Sequence, residues 1–320
     1  MIGIAGAGAF GTALAIVLGQ SGKPITLWCR NPQRAAAMQA SRTNPGFLPG
    51  AVFPETVRMT SDLHDLTGQR AILLAIPVQQ LGSFLANAGS IWNATPLVSC
   101  AKGLDLVSLK GPSALMATAS PQSAIAVLTG PGFAADIAKG LPTAFSLACA
   151  DEAAARMLQA LLSTQTLRLY RTSDVTGAEL GGALKNVMAI AAGIVIGAGL
   201  GESARAAVIT RGQAEMARLA QAMGGRAETL AGLSGLGDLV LTCTSLQSRN
   251  FGFGMALGAS RLPDAGKTVE GIATAHATAS LARRMGIDMP ICTMVSQVLD
   301  AKVTIAEATN ALLRRPLKQE

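Results

Sequence analysis

The sequence predicts an α/β fold in two parts: an N-terminal doubly wound sheet flanked by helices, and a C-terminal all-α domain. The length of 320 residues fits about two domains. Up to about Thr172, short apolar runs alternate with helical patterns, as in parallel strands joined by helices. Beyond that point apolar residues recur at helical spacing and no convincing strand remains. We therefore expect domains at residues 1–174 and 175–320.

The expected strands of the first domain follow one another at the intervals of strand–helix units. Residues 1–5 form the first strand, and residues 9–21 form a helix that Gly22 ends. Residues 70–77 are a continuous apolar run, which is typical of a parallel strand buried on both faces. The other expected strands are residues 24–30, 96–101, 123–129, 142–150 and 167–170.

The second domain is expected to be built from helices at residues 204–223, 272–285 and 291–300. The most apolar stretch of the chain, residues 186–201, carries no charge. It is shorter than the roughly 20 residues of a spanning helix, and glycines interrupt it. We expect a buried core helix there and no membrane span.

Composition and charge exclude several classes of protein. Hydrophobic residues make up 50% of the chain and charged residues 14%, which argues against disorder. The net charge is +7, but the basic residues are scattered and only 3% of residues are aromatic. We expect no nucleic-acid partner and interpret the charge as suited to small phosphorylated ligands.

The cysteines and the N-terminal residues indicate the cellular compartment of the protein. The five cysteines show no metal-ligand spacing and no CxxC pair, so we expect no metal site and reduced, buried thiols. The opening residues lack the basic and apolar regions of a signal peptide. These observations predict a cytoplasmic protein.

A glycine-rich turn lies between the first expected strand and the first helix. Its spacing, Gly6-x-Gly8-x-x-Gly11, is the dinucleotide-binding fingerprint of Rossmann-like domains. The second strand ends in Arg30 where an acidic residue favours NAD, and Arg34 follows. A cation there suits a 2′-phosphate, so NADP is preferred over NAD. The alternative is an Arg30 that faces solvent and binds no ligand.

Lys185 is the best candidate for proton transfer. It enters the most hydrophobic stretch of the chain, and burial would lower the pKa of its ammonium. Such a lysine can exchange a proton with a substrate hydroxyl. The alternative is a helix lysine that extends its charge to solvent. His64 and His276 have no evident orienting partner in the sequence.

Three further segments carry side chains or backbone suited to polar ligands. Lys102 and the pair Gly130 and Gly132 each follow an expected strand, at the sheet edge where ligands bind in such folds. The third segment offers a carboxylate that could pair with a lysine, and a guanidinium fork for phosphate. It comprises Asp238, Ser248, Arg249 and Asn250.

Together these motifs resemble the bacterial NAD(P)-dependent glycerol-3-phosphate dehydrogenases in order and spacing, from residue 3 to about 300. The resemblance is carried by Gly6-Ala-Gly-Ala-Phe-Gly-Thr-Ala-Leu-Ala15, Ala101-Lys-Gly-Leu, Gly130-Pro-Gly-Phe-Ala, Ala183-Leu-Lys-Asn-Val, Gly235-Leu-Gly-Asp-Leu, Ser248-Arg-Asn and Thr268-Val-Glu-Gly.

The resemblance implies a reaction: reversible reduction of dihydroxyacetone phosphate to sn-glycerol 3-phosphate, which supplies glycerophospholipid synthesis. Lys185 would exchange the proton, with Lys102 and Asp238 as further catalytic groups. The implied substrate-binding residues are Lys102, Gly130, Gly132, Lys185, Asn186, Asp238, Ser248, Arg249 and Asn250. The implied cofactor-binding residues are Gly6, Gly8, Ala9, Phe10, Gly11, Arg30, Lys102, Ala134, Arg249, Thr268 and Glu270.

Three positions depart from the commonest family pattern. Ala9 and Gly132 stand where serine is usual, and Phe10 stands where tryptophan is usual. Ala9 and Phe10 put side-chain contacts to the cofactor in doubt. Gly132 leaves only backbone groups to hold the substrate. Helical second domains of this kind often pair, so a homodimer is left open.

The sequence leaves two alternatives open. One is a related reductase of the same architecture that acts on a hydroxy acid or a sugar phosphate. The other is a non-enzymatic protein that binds NADPH without turnover. The segments around Asp238 and Arg249 argue against the first, and the set of Lys102, Lys185 and Asp238 argues against the second.

Overall fold

The computed structural model describes residues 1–88, 91–92, 94–263 and 268–316. The predicted domain ranges also include residues 89–90, 93, 264–267 and 317–320, which lie outside the described residues. The chain divides into two compact units. The N-terminal unit comprises Met1–Lys102 and Lys110–Glu179, and the C-terminal unit comprises Gly103–Leu109 and Leu180–Glu320. The boundary expected after residue 174 stays a prediction.

The N-terminal unit contains an eight-stranded sheet, a two-stranded ribbon and the helices that connect the strands. A short 3-10 turn, Leu63–Leu66, precedes the sixth strand. Its elements are β1 (Ile2–Ala5), α1 (Ala9–Gln20), β2 (Ile25–Trp28), α2 (Pro32–Ser41), β3 (Thr43–Asn44), β4 (Leu48–Val52), β5 (Val57–Thr60), β6 (Ile72–Leu74), α3 (Val78–Ala88), β7 (Leu97–Ser99), α4 (Pro112–Ala119), β8 (Ile125–Thr129), α5 (Ala134–Ala138), β9 (Thr143–Cys149), α6 (Glu152–Leu162) and β10 (Leu167–Thr172).

The sheet has the order β10-β9-β8-β7-β6-β1-β2-β5. From β5 to β8 all neighbours are parallel, and the order reverses between β1 and β6. This is the doubly wound order of dinucleotide-binding domains, so the predicted fold class is confirmed. The reversal makes the carboxyl ends of β1 and β6 the place where such folds bind ligands.

The structure corrects two details of the predicted sheet. First, β9 runs antiparallel to β8, so the sheet is mixed rather than wholly parallel. Second, β5 pairs with β2, although no strand was expected there. Val57 and Met59 of β5 are buried while Arg58 between them is exposed. This alternation is the signal for a strand that is half covered, but it extends over only three residues, because Thr60 is buried as well.

Buried apolar side chains explain the centre of the sheet. Every residue of β1, β6 and β7 is buried, because helices cover both faces of these strands. Helix α1 ends at the expected place, where Gly22 adopts φ +79° directly after the helix-capping Ser21. All five cysteines of the chain are buried and free, as predicted.

All regular secondary structure described in the C-terminal unit is helical, and α7 begins at the end of the N-terminal unit. A turn of π-helix, Leu233–Gly237, leads into α10. The helices are α7 (Val175–Gly197), α8 (Glu202–Ala222), α9 (Ala227–Ala231), α10 (Asp238–Thr244), α11 (Arg249–Gly258), α12 (Glu270–Met285), α13 (Pro290–Leu299) and α14 (Ile305–Leu313).

Helix α7 is the core helix that the apolar stretch predicted. In the part of the chain that the structure describes, it alone has the length and apolar character to cross a membrane, but 83% of its most apolar window is buried inside the protein. Glycines let α11 pack directly on its backbone. A Cβ added to Gly193 would lie 2.2 Å from the carbonyl oxygen of Phe251, and one added to Gly254 would lie 2.2 Å from that of Ile190.

Candidate active site

The glycine turn after β1 is shaped by three different requirements. Gly6 has φ +111°, and a Cβ there would lie 2.5 Å from the carbonyl oxygen of Ala75, which follows β6. A Cβ on Gly11 would lie 2.0 Å from the carbonyl oxygen of Gly6. Around Gly8, in contrast, an added Cβ would meet nothing within 4 Å. Gly6 and Gly11 therefore close the turn, while Gly8 keeps a space open above it.

The start of α1 is suited to an anion. Gly8 caps the helix, no side chain bonds to its first N–H groups, and the first turn contains no acidic residue. A helix N-terminus attracts phosphate through its N–H groups and its dipole. The turn also lies where the strand order reverses. These features are suited to the pyrophosphate of a dinucleotide, and the sequence predicts that the backbone of Gly6, Gly8, Ala9, Phe10 and Gly11 would hold it.

Two arginines follow β2, and they lie in different surroundings. Arg30 is exposed two residues beyond the strand. Arg34 reaches back to the glycine turn, where its Nη2 donates to the carbonyl oxygen of Ala7. It also donates to Oδ1 of Asn44 at 3.3 Å and stacks on the Phe47 ring at 4.1 Å from the centroid. Arg34 is thus fixed beside the turn, and Arg30 is available to solvent-borne ligands.

Lys102 and Gly130 lie together at the carboxyl edge of the sheet. Lys102 follows β7 and Gly130 follows the neighbouring parallel strand β8, as the sequence predicted. The Nζ atom of Lys102 donates to the carbonyl oxygen of Gly130 at 3.2 Å. Gly130 has φ +148°, a conformation that favours glycine. Gly132 has no room for a side chain, because an added Cβ would lie 2.6 Å from Cζ of Phe145 and 2.9 Å from Cγ2 of Thr143.

Lys185 lies in α7 and forms a buried cluster with α10. Its Nζ donates to Oδ1 of Asp238 at 2.7 Å and to Oγ1 of Thr242 at 2.6 Å. Thr242 in turn donates to Oδ1 of Asp238 at 3.1 Å. The exposed fractions are 7% for Lys185, 1% for Asp238 and 2% for Thr242. The lysine does not extend to solvent, and the carboxylate stabilises its charge.

Local sequence explains why the two helices approach so closely. A Cβ on Gly181, one turn before Lys185, would lie 2.6 Å from the carbonyl oxygen of Ser234. Ser234 precedes Asp238 by the same interval along the π-helical turn. Since the backbones touch at this level, the next turns bring the lysine and the carboxylate within hydrogen-bond distance.

Asn186 and Asn250 join α7, α11 and α12. Nδ2 of Asn250 donates to Oδ1 of Asn186 at 2.9 Å, and the N–H of Gly271 donates to Oδ1 of Asn250 at 2.9 Å. A Cβ on Gly271 would lie 2.7 Å from that oxygen. The Asn250 amide therefore has structural partners within the C-terminal unit.

The beginning of α11 contains the segment that the sequence predicts to bind a phosphate. The hydroxyl of Ser248 caps the helix by accepting from the N–H of Phe251 at 3.2 Å. Arg249 is exposed at the first helical position. Thr268 is exposed and Glu270 is the first residue of α12. A helix N-terminus with an exposed guanidinium is suited to a phosphate group.

The predicted site residues thus fall into local groups in each unit. The sequence missed Thr242, which lies one turn after Asp238 and within an apolar run, and it missed Phe145, whose contacts come from the fold. In the described part of the chain, no group of three His, Cys, Asp or Glu residues could hold a metal ion. The N-terminal unit contains Gly6, Gly8, Ala9, Phe10, Gly11, Arg30, Lys102, Gly130, Gly132 and Ala134, and the C-terminal unit contains Lys185, Asn186, Asp238, Ser248, Arg249, Asn250, Thr268 and Glu270.

Comparison with known proteins identifies relatives along the whole chain. The family model for the N-terminus of NAD-dependent glycerol-3-phosphate dehydrogenase matches residues 1–155, and the model for its C-terminus matches residues 174–310. The chain is 59% identical over 319 residues to a glycerol-3-phosphate dehydrogenase [NAD(P)+] of Paracoccus denitrificans, covering 100% of this chain and 99% of the relative. The enzyme of the same name from Cereibacter sphaeroides is 57% identical, with 100% of both chains covered.

Solved structures agree with the sequence comparison. The crystal structure of glycerol-3-phosphate dehydrogenase from Coxiella burnetii superposes with a TM-score of 0.93. It is 38% identical and covers 98% of each chain.

Proposed function

Because this chain belongs to the NAD-dependent glycerol-3-phosphate dehydrogenase family, we infer that its own Lys185 is the proton donor of the family's reaction. That reaction is the reversible NAD(P)H-dependent reduction of dihydroxyacetone phosphate to sn-glycerol 3-phosphate, which supplies glycerophospholipid synthesis. The chain is an oxidoreductase, and NAD and NADP are both consistent with its relatives.

The buried cluster of Lys185, Asp238 and Thr242 carries the assignment. An ammonium has three N–H donors, and two of them are directed at these partners. The cluster holds the nitrogen in place beside a carboxylate. In the reductive direction Lys185 gives a proton to the carbonyl oxygen, which becomes the C2 hydroxyl. In the oxidative direction the same nitrogen takes the proton back, and Asp238 stabilises the resulting charge.

When bound, the nicotinamide dinucleotide would supply the hydride that is added to the carbonyl carbon of the substrate. We assign its pyrophosphate to the glycine turn and the start of α1, for the geometric reasons given above. Phe10, Ala134, Arg249, Thr268 and Glu270 are the further proposed contacts. We propose NADP as the preferred cofactor. Arg30 follows β2, at the position where Rossmann-like domains bind the 2′-phosphate of NADP.

The substrate needs groups for its carbonyl oxygen and for its phosphate. We assign Lys102 to the oxygen, since its ammonium adds positive charge where negative charge develops. Backbone groups of Gly130 and Gly132 would hold the substrate beside it. We assign the phosphate to Arg249, Ser248 and the start of α11, with Asn186 and Asn250 fixing that helix end through their hydrogen bond. We also propose a cytoplasmic location and a homodimeric assembly.

Replacement of Lys185 tests the assignment directly. In Lys185→Arg the positive charge beside Asp238 is retained, but a guanidinium does not release its proton. We expect kcat to fall roughly 10²–10⁴-fold, because general acid–base catalysis is lost. The binding of NADPH, measured by fluorescence titration, is expected to stay unchanged.

Lys302→Met is the matched control, because Lys302 lies in the same unit and its side chain is 68% exposed. It is expected to keep full turnover. A Lys185→Arg enzyme that folds, binds NADPH and turns over like the wild type would remove Lys185 from this role.

A further inference from the structure

We propose that Phe145 is a positioning residue: its buried ring fixes the turn of Gly130 and Gly132 and, at the same time, the cofactor-side ring of Phe10. The proposal rests on the proposed function, because the roles of those three residues belong to it. Phe145 touches neither ligand in this account. It acts through the residues that do, and it couples the substrate-side turn to the cofactor-side helix within the N-terminal unit.

The first observation is the fit between the ring and the turn. Phe145 lies in β9 and is 0% exposed. It is next to Ser146, which pairs with Thr129 at the end of β8 through the antiparallel contact of the two strands. A Cβ on Gly130 would lie 3.0 Å from its Cδ1 atom. A Cβ on Gly132 would lie 2.6 Å from its Cζ atom. The ring therefore extends beneath the turn from one glycine to the other and leaves no room for a side chain.

The second observation is the contact on the other side of the ring. Phe10 packs against Phe145 edge to face, with ring centroids 5.9 Å apart and an interplanar angle of 89°. Phe10 is the second residue of α1 and follows Gly8 by two positions. Edge-to-face packing has a defined geometry, so the orientation of one ring restricts that of the other.

A third contact extends the effect to Lys102. The carbonyl oxygen of Gly130 accepts the hydrogen bond from Nζ of Lys102 at 3.2 Å. If the turn moves, this acceptor moves with it and the ammonium is misplaced. Since a displacement of about 1 Å can cost about 10²-fold in rate, removal of the ring should affect substrate use as well as stability.

Phe145→Leu is the first variant, with Leu147→Ala as its control. Leu147 lies two positions along the same strand, on the same face, and is also 0% exposed. We expect Phe145→Leu to raise KM for dihydroxyacetone phosphate roughly tenfold. We also expect a weaker affinity for NADPH, measured by fluorescence titration without substrate. Leu147→Ala is expected to lower the melting temperature and leave both quantities unchanged.

The decisive variant is Gly132→Ala, alone and combined with Phe145→Leu. The backbone of Gly132 does not require glycine, because its φ angle is not in the positive range that other residues avoid. Alone, the added methyl collides with the ring, so KM for dihydroxyacetone phosphate and the dissociation constant of NADPH should both rise. Combined with Phe145→Leu, which lacks the Cζ atom, the effect of Gly132→Ala should become clearly smaller, and the contact at 2.9 Å between the added Cβ and Cγ2 of Thr143 accounts for the part that remains.

Two outcomes overturn the proposal: Phe145→Leu behaving like Leu147→Ala, or Gly132→Ala being equally impaired in both backgrounds. If the wild type does not reduce dihydroxyacetone phosphate, the proposed function fails on its own. The dissociation constants of NADPH in the four proteins of this cycle then still decide on the coupling.

Discussion

Single residues in this chain are placed by contacts that strongly limit what can replace them. The ion pair of Lys185 and Asp238 is an example, since both side chains are almost completely buried. Removing one partner of such a pair typically costs about 3–5 kcal/mol of stability, because the other charge is left unpaired. The arrangement is understandable if the ammonium must remain in one place for proton transfer.

Gly8 offers a test of the dinucleotide site that does not disturb the fold. An added Cβ would meet no protein atom within 4 Å, and the residue has φ −76°, which any residue adopts. We expect Gly8→Ala to keep the melting temperature of the wild type. The affinity for NADPH should fall, because the methyl occupies the space where the pyrophosphate approaches the backbone. Isothermal titration calorimetry measures this.

For comparison, Gly11→Ala should lower the melting temperature, since its Cβ would lie 2.0 Å from the Gly6 carbonyl oxygen. Unchanged NADPH binding by a folded Gly8→Ala protein would argue against a pyrophosphate at this turn.

Arg30 determines the cofactor preference if it binds the 2′-phosphate. A hydrogen bond to a charged group contributes roughly 1.5–3 kcal/mol. We therefore expect Arg30→Asp to lower the NADPH/NADH ratio of kcat/KM roughly tenfold or more. Arg168→Asp, which changes another exposed arginine of the same unit, should leave the ratio as it is. A constant ratio in Arg30→Asp would instead direct attention to Arg34, which lies beside the turn.

At the scale of elements, two helices begin at carboxyl groups from distant parts of the chain, of which Glu215 is buried and Glu179 is partly buried. Glu215 of α8 accepts the N–H groups of Ile291 and Cys292 at the start of α13, at 2.7 and 3.2 Å. Glu179 accepts the N–H and the hydroxyl of Ser113 at the start of α4. Burial raises the pKa of both carboxyl groups to about 7, although the hydrogen bonds act in the opposite direction.

The raised pKa of Glu215 makes stability depend on pH. Between pH 4.5 and about 7 the unfolded chain releases this proton while the folded protein retains it. The folded state is therefore disfavoured progressively as the pH rises through this range. We expect Glu215→Gln, which cannot ionise, to lose less stability than the wild type between pH 5 and pH 8. Urea unfolding at each pH measures the difference.

Glu228→Gln is the matched control, because Glu228 is an exposed glutamate in the first turn of α9. It should reproduce the pH dependence of the wild type. A Glu215→Gln protein with that same dependence would mean that Glu215 does not titrate in this range.

At the scale of the whole molecule, the net charge of +7 acts on anionic ligands at a distance. Salt shortens the Debye length from about 30 Å at 0.01 M to about 8 Å at 0.15 M. We expect kcat/KM for dihydroxyacetone phosphate to fall several-fold over this range, because electrostatic attraction weakens. The value of kcat should change little, and sodium and potassium chloride should act alike. Steady-state kinetics in which kcat/KM is independent of salt would exclude such attraction.

How much of the molecule the sequence predicts depends on the range of the interaction. The sheet, the glycine turn and the helical second part follow from local patterns, and they are confirmed. The sequence of β9 does not show that the strand runs antiparallel to β8, because a buried strand has the same apolar pattern in either direction. The pairing of Lys185 with Asp238 spans 53 positions, so only the close approach of two helices reveals it. In the sequence Phe145 has the pattern of an ordinary core residue. Only the folded structure shows its contacts with Phe10, Gly130 and Gly132.

The five buried thiols allow the local opening of each unit to be measured separately. Cys29, Cys100 and Cys149 belong to the N-terminal unit, and Cys243 and Cys292 belong to the C-terminal unit. An alkylating reagent can reach a buried sulfur only when the surrounding structure opens, so its rate of reaction reports the free energy of that opening. Peptide mapping of the labelled chain would yield separate opening energies for the two units from one experiment. Repeated with NADPH, it would show which unit the dinucleotide protects.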